Sequence, residues 1–411
     1  MEKAKTRRIL PIIFLTVLLD LVSISILIPV LPSLFANPDS PVYLLAPGTP
    51  VSNGYIILGL LIGAWPLAQF FVSPVMGELS DMYGRKKIIA VSLAGVCLAH
   101  ILFSWGILVH SLTVLFAARI LGGVTGSNLV VAQAAIADIT PEKDRAKNFA
   151  LIGAAYGLGF IVGPVIGGLL VDHELFSWSG VLTPFLVAAA LQVVNVLAVL
   201  IVMPETRELP ETVRKPSWFK AVTHIYSAYA MKDLRAVFAT NFFFQAGFSF
   251  FATFLGVYLI YRFGFDEKDI GLYLAYGGVC IALAQGFLVR YISARWSDIS
   301  ILRWSLFLGA IATMAYYFPH TAFGLALIVP LFAATNGLSM AHLPALVSKR
   351  ASKETQGEML GINMSLQSLA YAIPPILSGF IAAELTPEAP IYVAGVIIFV
   401  AWLVFVVGVR K

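Results

Sequence analysis

Twelve stretches of this chain are each long and apolar enough to cross a lipid bilayer, and that repetition leaves few folds open. They fall at about 9–36, 54–78, 87–109, 112–138, 146–172, 181–203, 235–262, 268–290, 300–318, 321–348, 357–383 and 389–409. A span needs about 20 mostly apolar residues to cross roughly 30 Å of hydrocarbon. All are expected to be helices, because backbone in lipid must satisfy its own hydrogen bonds and these runs are too long and unalternating for barrel strands. Charge agrees: 12% of residues are charged, against about a quarter in a soluble domain. The net charge of +5 sits in short connections between the apolar runs, which excludes a nucleic-acid partner and fits orientation in a bilayer. The basic start leads into a long run without a small-residue cleavage site, so a retained first span is expected and not a signal peptide. Cys97 and Cys280 lie in separate apolar runs, so neither a disulfide framework nor a metal cluster is expected, and no cofactor is called for.

Orientation follows from the basic residues. With both termini cytoplasmic, only Arg262 and Lys268 fall outside and Arg119 lies within a span, so 24 of the 27 Lys and Arg side chains face inward. That asymmetry predicts an even number of spans in a plasma or inner membrane, with both ends inside. The one long inner connection divides the chain into an N-terminal six-helix bundle (1–203), a cytoplasmic linker (204–234) and a C-terminal six-helix bundle (235–411). Within the linker Trp218, Val222, Ile225, Tyr226 and Tyr229 recur at helical spacing, as in a helix on the membrane surface or one packed under the bundles. A repeat joins the halves: Pro141, Glu142, Lys143, Asp144, Arg145, Pro164 and Gly168 recur, at one constant offset, as Ser352, Lys353, Glu354, Thr355, Gln356, Pro375 and Gly379.

Charge inside a span marks candidate chemistry. Asp20 follows Arg8 by a dozen residues, roughly 18 Å along a helix, which places a carboxyl near mid-bilayer. An ionisable group there is costly and is a functional candidate facing a cavity; the plainer role is satisfying a polar neighbour. Arg119 can reach a similar depth in span four, where Gly122, Gly123 and Gly126 permit close helix approach. Span five carries Gly153, Gly157, Gly159, Gly163, Pro164, Gly167 and Gly168; the spacing is wrong for a dinucleotide loop and right for a flat helix-packing face. Between spans two and three, Gly77 to Lys87 reads as a tight polar hairpin containing Asp81, Gly84 and Arg85, while Asp138 and Arg145 sit near the inner end of span four. In the second half Asn241, Gln245, Gln285 and Asn336 are candidate substrate-cavity residues, with Phe243, Phe248 and Phe251 beside them.

These motifs carry a resemblance. Gly77-x-Leu79-x-Asp81-x-x-Gly84-Arg85-Lys86 resembles the signature loop of the major facilitator superfamily of transporters. Asp20 with Pro29-Val30-Leu31-Pro32 resembles the first-span signature of its drug:proton antiporter branch, and the Arg119 run resembles a fourth-span motif associated with proton coupling. Gly163-Pro164-x-x-Gly167-Gly168 is similar to the fifth-span motif that marks exporters. The likeness covers the whole chain, and the first half is similar to tetracycline efflux proteins. It departs from them at Ala99 and His100, where those proteins carry an acid, and at Met82, where the family pattern often has Arg; the cargo therefore need not be tetracycline.

The resemblance implies an all-α membrane protein of two pseudo-symmetric six-helix bundles, working as a monomer. It implies no enzyme, but a secondary transporter that exports small amphipathic or drug-like molecules against protons by alternating access. Asp20 and Arg119 would couple protons, and Gly77, Asp81, Gly84, Arg85, Asp138 and Arg145 would form an inner gate. A sugar or metabolite transporter of the same fold and a non-transporting membrane receptor remain alternatives.

Overall fold

Pro29 and Pro32 shape the first span. A proline has no N–H to give and its ring clashes with the preceding turn, so the helix Glu2–Ser25 stops short, residues 26–30 form turns, and a five-residue helix Leu31–Phe35 resumes. The turns are closed by three-residue hydrogen bonds, Ile28 N to Ser25 O and Val30 N to Leu27 O, both at 3.1 Å. The computed structural model describes residues 2–140, 145–172, 180–207, 223, 226–227, 231, 234–350 and 356–409. Its description omits the side chains of 2–8, 145–147, 150, 348, 350 and 356–361. The surface helix expected around Trp218 to Tyr229 and the repeat at 141–144 and 352–355 fall largely outside the described residues.

Spans two to twelve are the helices Val51–Tyr83, Arg85–Leu108, Leu112–Ile139, Arg145–Leu169, Thr183–Val202, Arg235–Phe263, Glu267–Ser293, Asp298–Tyr317, Ala322–Arg350, Gln356–Glu384 and Ala389–Gly408. Among the described residues eleven helices are long and apolar enough to cross a membrane, and the first span contributes the shorter apolar segment Ile9–Ser25. No strand occurs among the described residues.

Three places differ from simple rods. The polar stretch from Gly77 is not a hairpin loop: span two continues as helix to Tyr83, span three begins at Arg85, and Gly84 alone turns the chain. Its φ of +96° is open to glycine and strained for any other residue. Span four breaks between its helices Leu112–Thr125 and Asn128–Ile139. Span eight contains one π-helical turn, Ala284–Leu288.

The chain packs as two units. One holds Met1–Leu31, Ala68–Phe219 and Glu267–Ala275; the other holds Pro32–Leu67, Lys220–Asp266 and Tyr276–Lys411. In the first unit the glycines of span five supply the expected flat face, but only at one register. A Cβ on Gly159 would lie 2.7 Å from Leu21 Cβ, and one on Gly163 or Gly167 would overlap Ser25 Oγ or the Ile26 carbonyl oxygen. Gly153 and Gly157 face open space. Gly167→Ala must move backbone, so it is expected to cost about 1–3 kcal/mol, read as a lower unfolding temperature of the purified protein. Gly153→Ala should leave that temperature unchanged.

The repeat also shows in packing. In the first unit a Cβ on Gly168 would come 2.6 Å from the Glu267 carbonyl oxygen, and one on Gly271 would meet the Pro164 carbonyl. In the second unit Gly379 meets the Tyr55 carbonyl at 2.6 Å by the same test, and Gly59 meets the Pro375 carbonyl. Each Pro-x-x-x-Gly thus seats a glycine of another span against its own backbone.

Candidate functional site

Asp20 sits 7% exposed in the first span, and its ionised form needs hydrogen-bond donors to offset the lost water. Two amides supply them. Gln192 Nε2 of span six donates to Asp20 Oδ1 at 2.7 Å, and Asn128 Nδ2 of span four donates to Asp20 Oδ2 at 3.3 Å. Gln192 Nε2 also reaches Ser23 Oγ, whose hydroxyl donates to the Asp20 carbonyl at 2.8 Å. One turn along, Asn195 Nδ2 donates to the Thr16 carbonyl at 2.9 Å. The carboxyl of span one is thereby held by spans four and six of the same unit, with no cation among its described partners.

The break in span four lies beside it. Asn128 is the first residue of the second half-helix, and the interruption frees backbone groups that lipid cannot satisfy. Span two meets one of them, Gln69 Nε2 donating to the Gly126 carbonyl at 2.8 Å, and adds a side-chain bond at the break, Ser73 and Ser127 sharing a hydroxyl hydrogen bond of 3.0 Å. Arg119, in the half-helix before the break, is partly buried and lies within electrostatic reach of His100 in span three. It is not among the partners of Asp20.

A second polar cluster forms at the basic end of the same unit. Arg85 is 3% exposed and bridges Asp81 at 2.6 Å and Asp138 at 2.9 Å, with Ser80 Oγ as a third partner. Arg207, just past span six, approaches Asp81 at 3.2 Å and Asp138 at 3.9 Å, supplying the cation that the sequence lacks at Met82. Glu205 closes the first turn of span three, accepting Arg85 N at 2.9 Å and Lys86 N at 3.2 Å. A carboxylate there meets unpaired N–H groups and the positive helix end. Any Cβ on Gly84 would overlap that carboxylate. The structure thus joins Asp81, Gly84, Arg85 and Asp138; Gly77 lies inside span two near Val130, and the side chain of Arg145 is outside the description.

The sequence matches the family model "Major Facilitator Superfamily" over residues 13–375. The chain belongs to that superfamily. Among relatives, it is 30% identical to the class C tetracycline resistance protein of Escherichia coli over 373 residues, covering 91% of this chain and 89% of that one. It is 27% identical to the quinolone resistance protein NorA of Staphylococcus aureus over 397 residues, covering 93% and 92%. Its fold matches that of a D-xylose-proton symporter with a TM-score of 0.78 at 15% identity, over 98% of this chain and 97% of that one. This member of the superfamily is a multi-pass membrane transporter of a small molecule, not an enzyme.

The remaining candidates sit in the second unit of this superfamily member. Asn241 donates to Asn363 Oδ1 at 2.7 Å, Gln245 Oε1 accepts from Tyr371 at 3.3 Å, and Asn336 donates to the Phe332 carbonyl at 2.9 Å. All three are buried, and Phe251 packs on Phe332 and Tyr316 at 4.3 and 4.8 Å between ring centres. Gln285 is exposed on the π-helical turn of span eight. The amides on Asp20 and the pair Glu205 and Arg207 were missed in the sequence.

Proposed function

We propose that this protein exports small amphipathic molecules in exchange for protons, with Asp20 as the proton-carrying group and Arg119 as a second coupling charge carried by span four. The observation that carries this reading is the buried Asp20 carboxyl, clamped by Gln192 and Asn128 beside the break in span four. Broken helices at mid-membrane are where transporters of several folds place coupling sites. Burial opposes the charged carboxyl and the two amide donors favour it. If proton and cargo compete, inward proton flow drives cargo outward as two six-helix halves rock. The Arg85 cluster would then keep the basic ends of spans two, three, four and six moving as one piece, while the paired glycine contacts of spans five with eight and two with eleven would part at the other end.

Export is favoured by the Gly163-Pro164-x-x-Gly167-Gly168 run and by relatives that are resistance proteins. The basic residues favour a plasma or inner membrane with both termini cytoplasmic, and a monomer suffices. One pH unit is worth about 1.36 kcal/mol and 100 mV about 2.3 kcal/mol per charge, so one proton supports roughly a 500-fold gradient of an uncharged cargo.

The test is flux in proteoliposomes under an imposed pH gradient, with a quinolone, a tetracycline and a pentose offered in turn. Uphill, gradient-dependent movement of an amphipathic compound is expected. Movement of the pentose alone would replace this reading with a sugar transporter, and no movement of any compound would favour a receptor.

A further inference from the structure

The clamp on Asp20 fits only one of its two protonation states. A carboxylate accepts and never donates, and the amide N–H groups of Gln192 and Asn128 face it accordingly. Yet the other half of each amide is left over. Gln192 Oε1 and Asn128 Oδ1 are buried and have no hydrogen-bond partner, although the two residues are 0% and 3% exposed. A buried carbonyl without a donor is costly. Once Asp20 takes a proton, one of its oxygens becomes a donor, and an N–H facing it no longer fits.

We infer that Gln192 reads the proton on Asp20 by turning its terminal amide, so that Nε2 holds the carboxylate and Oε1 accepts from the carboxylic acid. The inference rests on Asp20 as the proton site and adds the group that senses it. A half-turn about the last side-chain bond exchanges the two ends of the amide at one place. The stranded acceptor gains a donor from the acid, while Ser23, which accepts from Nε2, keeps its one hydroxyl proton on the Asp20 carbonyl and could turn it to Oε1 only by releasing that carbonyl. No covalent bond changes; the proton sits on a carboxyl oxygen and the hydrogen-bond directions reverse. Asn195 holds Thr16 on the same two spans throughout, so spans one and six stay together while the pattern between them switches. The weaker partner is Asn128, at 3.3 Å and at the start of a half-helix, so protonation acts on the broken span four.

Few other charges bear on the switch. Span six has no ionisable side chain from Thr183 to Val202, and span five has only the exposed Tyr156 from Asn148 to Leu169. Span four carries Arg119, near His100, and Asp138, held by Arg85.

Infrared difference spectra of the full chain in liposomes, acid minus neutral, test this with glutamine labelled by carbon-13 at the side-chain carbonyl. The protonated Asp20 band is assigned by its loss in Asp20→Asn. A labelled glutamine carbonyl band is expected to shift with it in the native chain and to vanish in Asp20→Asn. In Gln192→Met, which keeps length and loses the amide, the acid band should move to the frequency of an unbonded carboxyl and the pH profile of flux should move with it. An Asp20 band with no accompanying glutamine band, or one unchanged in Gln192→Met, overturns the inference and leaves the proton reading standing. Absence of any Asp20 band between acid and neutral pH overturns both. The label marks all seven glutamines, so if Gln192→Met does not fold, Gln192→Asn, which keeps an amide and loses the label, assigns the band: its persistence there overturns the inference.

Discussion

Asp20→Asn is expected to abolish uphill transport: the roughly 500-fold gradient that one proton can sustain should fall to none, while downhill movement of the same compound persists. Asparagine keeps the shape of the side chain, and its carbonyl oxygen can still accept from Gln192 or Asn128. The fold should therefore survive with only a small drop in unfolding temperature, since one acceptor oxygen becomes an amide NH2 group that meets a donor of Gln192 or Asn128. Counterflow of a quinolone across proteoliposomes separates the two effects, because exchange needs alternating access and not coupling. Retained uphill transport in this variant would move the proton site elsewhere.

Arg85→Ala should produce the largest loss of stability. The guanidinium is nearly buried and answers Asp81, Asp138 and Ser80 together, so truncation strands two carboxylates at once. Removing one partner of a buried pair costs about 3–5 kcal/mol; the lower end applies, because Asp81 is 44% exposed and Arg207 stays close to both acids. The cost should appear as a clear drop in unfolding temperature. Arg207→Ala, at a site 38% exposed, should shift it by less than about 1 kcal/mol. Equal effects from the two variants would mean that the cluster is not built around Arg85.

The fold was legible because each span announces itself by composition alone, and the prolines at 29 and 32 announce where the first one ends. Asp20 was legible for the same reason, as a charge in an apolar run. Its partners were not. A lone Gln192 or Asn195 in an apolar helix looks like ordinary packing polarity, and the rotation of span six against span one is a tertiary fact. Glu205 and Arg207 follow the last apolar residues of span six and meet span three only in three dimensions. The break in span four did leave a trace: Thr125-Gly126-Ser127-Asn128 is a run of cap-forming and turn-forming residues, although Gly126 by itself reads equally as a close-packing glycine. The glycines of span five were recognised as a face, but sequence could not say that 159, 163 and 167 point at span one while 153 and 157 do not.

Proton counting tests the central claim most directly. Weakly buffered protein in detergent, mixed with a fluorescent quinolone and followed with a pH-indicator dye, reports protons released as cargo binds. Competition at Asp20 predicts release of up to one proton per bound molecule in the native chain and none in Asp20→Asn at equal occupancy. Equal release from both proteins, or binding without release at any pH, would contradict the account.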